Sequence, residues 1–529
     1  MLDLRLTNAT FLTMDPSRPV ARELGVWHGR IVGLDEEVSG LPARRVVDLA
    51  GATVLPGFID AHVHLAWAGL REGSPDLSAE TGIGPVLDLI GKAARARPAG
   101  EWVDVVGYDQ RRLGRHLTAA ELDAVAAGRK LFLIHDSGHA CVVNSAVLAL
   151  LPPEVEHQDG MLAESGMAAV RALRMPYSVA ELVEAIETAG RTCLREGVTA
   201  AAEAGLGGGL VQHSPIELAA YQQALASGRL PIRVQAMVAA SALRPVTAHP
   251  DDDTPRAVDL GLRTGLGGDR LSIGALKVFT DGGMMARTAA LTEPYVGGEG
   301  NRGELYADAE VLRAQIVDGH RAGWQLAIHA IGDRALDVAL DAVEQARRDF
   351  PRPGARHRIE HAGLVRPEQL GRLAELDLTV VVQPSFLTWF GDDYAAIMGE
   401  KRAPWLYRGR SFLDHGVRLV ASSDRPVTVG APLTAVQFMV ERTSRAGLTI
   451  GPDEGIGVDA ALRAYTLDAA HACHWEDSLG SLAAGKQADL VVLAQDPRRV
   501  PVGEIGAIEI RATVVGGEVA HGALEPGRS

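Results

Sequence analysis

The middle of this sequence alternates short apolar runs with longer amphipathic stretches, and this alternation restricts the fold more than any other feature. Apolar residues at every third or fourth position indicate helices, whereas short continuous apolar runs indicate buried strands. Strands that alternate with helices build a parallel sheet covered by helices, and eight such units predict an α/β fold of the (β/α)8 barrel type. The candidate strands are residues 54–62, 198–204, 232–238, 272–279, 325–329, 357–361, 379–383 and 418–422.

The connection between the first two candidate strands is too long for a single crossover. It runs from Leu65 to Gly197 and contains a strand-like run of its own at residues 130–135. Most connections in compact domains take only a few residues besides the helix. We therefore expect an inserted subdomain at about residues 70–190, after the first strand of a barrel that occupies residues 55–477.

The two ends of the chain share a pattern of short apolar runs and turns. Residues 1–54 contain several runs of this kind, with a hairpin-like turn at His28-Gly29-Arg30, and residues 489–493 and 508–515 return to the pattern. Because the N-terminal β unit is too short for a large core of its own, we predict that the two β segments, in residues 1–54 and 478–529, pair into one sheet.

Charge and cysteine content limit the classes of partner. The net charge of −15 disfavours nucleic acid or an anionic membrane as a partner. The three cysteines, Cys141, Cys193 and Cys473, are widely separated, which is typical of reduced thiols in a cytosolic protein. No apolar run reaches the length of a membrane span, and the first residues lack the pattern of a signal peptide. We expect a cytoplasmic protein that acts on a small molecule.

Polar side chains stand at the carboxyl ends of five candidate strands, which meet at one mouth of a parallel barrel. Imidazoles and carboxylates are common metal ligands. Each residue has an ordinary reading when taken alone, such as a core histidine or a helix N-cap, but their coincidence at one mouth favours a metal site. The residues are His62 and His64 on the first strand, Lys277 on the fourth, His329 on the fifth, His361 on the sixth and Asp424 on the eighth.

The motifs around these residues resemble those of the amidohydrolase superfamily, and within it the YtcJ-like branch (amidohydrolase family 3), which includes N-substituted formamide deformylases. The resemblance extends over nearly the whole chain. It implies a metal-dependent hydrolase built on a (β/α)8 barrel with a composite sandwich. The motifs are PGFIDAHVH (56–64), SGH (137–139) with NS (144–145), KVFTDGG (277–283) with RTAAL (287–291), SDRPV (423–427), and GSL (480–482) with GKQADL (485–490).

The resemblance also implies roles for the polar residues at the mouth. One or two divalent ions, with zinc expected, would be bound by His62 with His64 and by His329 with His361. Asp424 would contact the metal and act as a base toward water. Lys277 has only donor hydrogens and cannot ligate a cation as it stands, so its implied form is the carbamate made with carbon dioxide. A mononuclear site with an unmodified lysine remains the alternative.

Several further residues are predicted to contact the substrate. His139 is a candidate oxyanion donor or substrate contact, with a loop histidine bonded to backbone as the equal alternative. Glu164 is alternatively a carboxylate at a helix N-terminus, and Arg287 alternatively holds its own loop. The predicted substrate contacts are Trp67, Glu164, Asp281 and Arg287, and the aromatic residues Phe386, Trp389 and Phe390 wall the pocket with Trp67 or form lid core.

The leading hypothesis is an enzyme that hydrolyses a non-peptide C–N bond, such as an N-substituted formamide, with metal-activated water. The alternative within enzymes is a heterocycle deaminase, but such relatives usually lack the lysine of the fourth strand. The alternative from another class is an inactive barrel that serves as a binding protein, but such relatives usually lose metal ligands. A homodimer is the assembly that the resemblance suggests.

Overall fold

In the computed structural model, which describes residues 1–135, 140–208 and 214–524, eight apolar runs form one parallel sheet that keeps chain order. Two backbone bonds bring its outer strands together, from Asp424 N–H to the His62 carbonyl (2.9 Å) and from His64 N–H to the Arg425 carbonyl (2.8 Å). The predicted (β/α)8 barrel is confirmed. Its strands are Phe58–Val63, Val198–Leu206, Arg233–Ala239, Leu271–Phe279, Leu326–Ala330, Arg358–His361, Thr379–Val382 and Arg418–Ala421.

Helices follow the barrel strands and bury one face each against the sheet, as in other α/β barrels. The third strand is followed instead by short 3-10 turns and a two-stranded ribbon, Arg244–Pro245 with Arg256–Ala257. The helices are Glu217–Ala226, Ala309–Arg321, Asp333–Asp349, Pro367–Glu375, Pro384–Arg402, Arg410–Asp414, Pro432–Glu441, Val458–Ala464 and Leu467–Ala472.

Both chain ends contribute to two further sheets, which pack on a common apolar core. The predicted composite sandwich is thereby confirmed as a part of the fold. The four-stranded sheet contains Leu2–Thr7, Leu24–Trp27, Arg30–Leu34 and Ala43–Asp48, and the six-stranded sheet contains Thr10–Leu12, Val20–Ala21, Thr53–Pro56, Leu490–Leu493, Ile510–Val515 and Glu518–Gly522.

The chain passes from the sandwich to the barrel at Gly57. The run predicted as a single strand, 54–62, is in fact two strands, Thr53–Pro56 in the sandwich and Phe58–Val63 in the barrel. Gly57 N–H bonds to the Asp489 carbonyl of the sandwich, and the next amide bonds to a barrel residue. A Cβ at position 57 would lie 2.2 Å from Thr199 Oγ1, so only glycine fits this crossing.

The chain divides into two compact units, Met1–Leu65 with Gly190–Ser529, and Ala66–Ala189. Within the second unit a four-stranded sheet packs with its own helices, and we retain the insertion at about residues 70–190 as a proposed domain. Among the described residues, no helix combines the length and apolarity needed to cross a membrane. The elements of this segment are the strands Trp102–Tyr108, Lys130–His135, Ala140–Val143 and Met161–Ala163 and the helices Leu65–Glu72, Ile83–Arg95, Gln110–Leu113, Ala119–Ala126, Ser145–Leu148, Ser165–Arg174 and Val179–Arg195.

A buried ion pair joins the third barrel strand to the sandwich and supports a first prediction. Arg233 Nε lies 2.8 Å from Asp489 Oδ2, and Arg233 Nη2 lies 2.9 Å from Asp489 Oδ1. Arg233→Ala would leave the Asp489 carboxylate buried without its counter-ion, so we expect unfolding to become easier by about 3–5 kcal/mol in urea titrations. Lys401→Ala, which breaks an exposed pair with Glu293, should change stability by at most about 1 kcal/mol; equal effects would contradict the prediction.

Candidate metal centre

The six residues predicted at the barrel mouth lie together in one buried cluster. Strand register brings them close, because Phe279 pairs with His329 and Ala330 pairs with His361 on neighbouring strands. The first strand and the end of the eighth are linked by the backbone bond from Asp424 to His62. The buried residues of the cluster are His62, His64, Lys277, His329, His361 and Asp424.

Donor atoms of three residues in this cluster lie close to one another. Asp424 Oδ1 is 3.1 Å from His64 Nε2 and 3.5 Å from His62 Nε2. Donor atoms of these three residues all lie within 4.8 Å of one another. The His329 and His361 rings are 4.4 Å apart, and the His361 ring is 5.0 Å from that of His62. The cluster therefore consists of one triplet of candidate ligands, an adjacent histidine pair and Lys277.

In three of the imidazoles, one ring nitrogen contacts a hydrogen-bond acceptor of the protein. The contacts join His62 Nδ1 to the Glu360 carboxylate, His361 Nδ1 to Gln383 Oε1 (2.7 Å), and His329 Nε2 to the Gly282 carbonyl (3.2 Å). Because these acceptors offer no hydrogen, the contacting ring nitrogen of each histidine carries the proton and donates it in the hydrogen bond. The tautomers leave His62 Nε2, His361 Nε2 and His329 Nδ1 unprotonated, as metal-ligating histidines require.

Asp424 Oδ1 and His329 Nδ1 are buried in the cluster and have no hydrogen-bond partner within the described part of the chain. An unsatisfied buried polar atom costs about 1–3 kcal/mol, and a metal ligand is one function that explains such a cost. Imidazole nitrogen together with carboxylate oxygen suits zinc and related divalent ions. The residues present therefore fit a divalent metal.

Burial lowers the pKa values of four bases in the cluster, His62, Lys277, His329 and His361. Burial, reinforced by the charge on Lys277, lowers the pKa of His329 to about 3. The same causes hold the pKa of His62 well below its usual value, and burial with neighbouring histidines does so for His361. Burial also lowers the pKa of Lys277 to about 8. Because neutral imidazole is the ligating form, protons do not compete with a metal for these histidines near neutral pH.

A buried arginine and glutamate support His62, and reasoning from the sequence missed both. Arg358 Nε donates to Glu360 Oε1 (2.5 Å), Arg358 Nη2 donates to Glu360 Oε2 (2.9 Å), and Nη2 also reaches the Ala61 carbonyl (2.6 Å). Both side chains are fully buried. The available signal was their spacing of two residues on an apolar strand, which places both charges on one face.

Two more buried carboxylates support the first strand, and neither was predicted. Asp60 accepts from the Ser423 N–H (3.0 Å) and Oγ (2.5 Å), and burial raises its pKa to about 6. Glu203 accepts from the Leu65 N–H (2.7 Å), and its Oε1 lies 3.9 Å from His64 Nδ1. Acidic residues within apolar strands were again the available signal.

Left-handed backbone lets consecutive residues of the sixth strand reach the cluster. His361 has φ 74° and Asp424 has φ 53°. On a regular strand, Glu360 and His361 would face opposite sides, yet Glu360 contacts His62 and the His361 ring also lies beside it. Non-glycine residues with positive φ are strained and concentrate at functional sites. His361 and Asp424, which both have positive φ, are predicted metal ligands.

The predicted substrate contacts of the fourth-strand loop hold that loop in place. Asp281 is fully buried and accepts from the backbone amides of Ala290 (2.8 Å), Ile331 (3.1 Å) and Gly332 (2.8 Å). Both of its oxygens are occupied, so this geometry gives no support to a direct substrate contact. Arg287 donates to the Gly297 carbonyl (3.4 Å), in line with the loop-holding alternative.

The other predicted contacts have different surroundings, and one of them falls outside the described residues. Trp67 is 41% exposed and lines a cavity of about 240 Å³ within the second unit. Glu164 is exposed and immediately precedes the helix Ser165–Arg174, which is the helix-terminus alternative. His139 falls outside the described residues. Phe386 is buried and packs against His361 and Tyr407, as lid core would.

Comparisons with known proteins match one family model and several relatives over nearly the whole chain. The model of the amidohydrolase family matches residues 45–521. The chain is 31% identical to an N-substituted formamide deformylase of Arthrobacter pascens over 98% of both chains, and 27% identical to YtcJ of Bacillus subtilis (strain 168) over 92% of both. A solved structure of a metal-dependent hydrolase from Pyrococcus horikoshii superposes with a TM-score of 0.78 and 29% identity, over 95% of this chain and 99% of that one.

The contact between Glu360 and His62 predicts a change in metal affinity. Glu360→Gln weakens the acceptor that orients His62, and loss of such support typically lowers metal affinity about 10–100-fold. Chelator competition with zinc measures the dissociation constant directly. Glu454→Gln is the matched control, because Glu454 also forms a buried pair with an arginine, Arg408, but binds Ser411 rather than an imidazole. Unchanged zinc affinity in Glu360→Gln would exclude this role.

Proposed function

Because this chain belongs to the amidohydrolase family, and is accordingly a hydrolase of C–N bonds other than peptide bonds, we propose that it cleaves a non-peptide amide of the N-substituted formamide type with metal-activated water. The observation that carries the proposal is the buried triplet of His62, His64 and Asp424 beside the pair His329 and His361. The choice of substrate is supported by the 31% identity, over 98% of the chain, to the N-substituted formamide deformylase of Arthrobacter pascens.

The proposed metal ligands are the unprotonated nitrogens and the carboxylate that face one another in the cluster. His62, His64 and Asp424 would hold one ion, and His329 with His361 would hold a second. When bound, a divalent cation such as zinc lowers the pKa of water toward neutrality and polarises a carbonyl group. The small-molecule substrate is proposed to bind at the same mouth of the barrel.

Asp424 is the proposed proton carrier of the reaction. Its carboxylate lies at the mouth with Oδ1 between the two histidines of the first strand. It would accept a proton from the attacking water and return that proton to the amine nitrogen as the C–N bond breaks. His62, His329 and His361 are poor replacements for it as a base, because burial holds the pKa of each well below its usual value.

Lys277 is proposed to react with carbon dioxide. Its Nζ lies 3.3 Å from His62 Nε2 and is fully buried. The ammonium first loses one proton, the nitrogen of the resulting neutral amine attacks the carbon of CO₂ as one C–O π bond opens, and the nitrogen then loses a second proton. The product is a carbamate anion whose two oxygens would be available to bind a metal. With the pKa of Lys277 lowered to about 8, a useful fraction of the amine is neutral at physiological pH.

The first prediction of this proposal concerns Asp424→Asn. The amide cannot take the proton from water, so we expect kcat to fall by about 10²–10⁴-fold while bound metal, measured by elemental analysis, is retained. Activity is assayed over N-substituted formamides, acetamides, cyclic amides and aminoheterocycles with zinc added. Asp414→Asn, a change at an exposed aspartate, should keep wild-type turnover. Full activity in Asp424→Asn would remove the base, and turnover of aminoheterocycles alone would favour a deaminase.

A second prediction concerns the pH dependence of Lys277 carboxylation. Only the neutral amine reacts, so at fixed dissolved CO₂ the carbamate population should rise between pH 7 and pH 9, through the lysine pKa of about 8. The measurement is ¹³C NMR with ¹³CO₂ on the metal-loaded protein. Lys277→Ala should lack the signal, whereas Lys401→Ala, at an exposed lysine, should keep it. A carbamate signal that is equal in all three proteins would refute the modification at Lys277.

A further inference from the structure

A cavity of about 310 Å³ adjoins the metal-ligand cluster on the side of the second, third and fourth barrel strands. Lys277 belongs to both regions, because its Nζ lies 3.3 Å from His62 Nε2 while its side chain lines the cavity. A substrate whose reacting bond lies at the metal ligands therefore has this space beside it. One substituent of that substrate can occupy it.

Small residues create the cavity. Gly205 has φ 99°, a conformation that disfavours any side chain, and a Cβ there would lie 3.4 Å from Lys277 Cγ. A Cβ on Gly208 would lie 2.5 Å from the Cβ of Ala239. The ends of the second and third strands thus lack bulky side chains at the positions that border the cavity.

The remaining wall is apolar or uncharged. Phe279 and Tyr306 supply its aromatic part, and the Phe279 ring centroid lies 4.9 Å from Lys277 Nζ and 5.4 Å from the His329 ring. Leu312 closes it from the helix Ala309–Arg321. Among the described lining residues, Lys277 is the one charged group, and the metal cluster already engages it. A carboxylate or phosphate placed here would lose water without gaining a counter-ion, which is costly.

We propose that this cavity holds a compact, uncharged apolar substituent of the amide substrate, and that Ala240 and Leu312 set the largest substituent accepted. Its volume is at the lower end of ligand cavities, which range over about 300–1,000 Å³, so it has room for one ring or a short alkyl chain. The inference rests on the proposed function and deepens it by naming the substituent and the residues that limit it.

Two variants should move the size limit in opposite directions. Ala240→Leu fills the cavity and Leu312→Ala enlarges it, whereas Ala226→Leu and Leu225→Ala make the same exchanges at exposed positions of one helix. The probes are formamides with methyl, butyl, benzyl, naphthylmethyl or carboxymethyl on nitrogen, and primary amides with the same groups on the acyl side. In one of the two series, Ala240→Leu should lower kcat/KM for the butyl and benzyl amides, relative to the methyl amide, about tenfold or more. In the same series, Leu312→Ala should raise kcat/KM for the naphthylmethyl amide relative to the benzyl amide.

Binding is measured separately from turnover, by isothermal titration calorimetry of the same amides in an Asp424→Asn background. If the wild-type protein hydrolyses no amide, the proposed function fails, but selective loss of butyl- and benzylamide binding on adding Ala240→Leu still supports the cavity. If hydrolysis occurs with the same size dependence in wild type and both cavity variants, the cavity assignment is overturned and the proposed function stands. Failure of all amides to bind, or tighter binding of the carboxymethyl probe, also overturns the assignment.

Discussion

Charge pairing inside the barrel is the constraint on which the rest of the site depends. An isolated charge in a dry interior costs several kcal/mol, and a single unpaired partner is strongly destabilising. The buried Glu360 carboxylate is tolerated because Arg358 faces it with two donors, and that pairing in turn lets Glu360 hold His62. Asp60 meets this requirement differently, through the amide and hydroxyl of Ser423. These contacts tie the first, sixth and eighth strands together at the level of the predicted metal ligands.

The barrel strands could be predicted because their apolar runs are set by burial on both faces, which leaves a strong local signal. The run Thr379–Val382 is fully buried and was found within one residue. The range predicted for the first barrel strand, 54–62, included part of a second strand, and the reason is physical. Thr53–Pro56 is as apolar as Phe58–Val63, and only its antiparallel partner Leu490–Leu493, more than four hundred residues away, places it in a different sheet. Local periodicity carries no information about such a partner.

The ligand types were predictable from their positions at strand ends, but their supports were not. The partner of His62 is 298 positions away in the sequence, and its identity depends on the register of the barrel. Asp281 was interpreted as a substrate contact because it follows a strand at the mouth of the barrel. In the structure its carboxylate accepts hydrogen bonds from three backbone amides of neighbouring loops. A carboxylate that stabilises a loop and one that faces a ligand have the same sequence signature, and only the location of nearby amides separates them.

The crossing at Gly57 makes the two ends of the polypeptide inseparable from its chemistry. Only Gly57 separates the strand that carries His62 from Thr53–Pro56, whose pairing partner, Leu490–Leu493, lies more than four hundred residues further along the chain. A barrel excised from its flanking segments would lose the anchor of that strand and could not serve as a free-standing catalytic module. Replacement of either flanking segment alone would remove one member of this strand pair and leave the other without its partner.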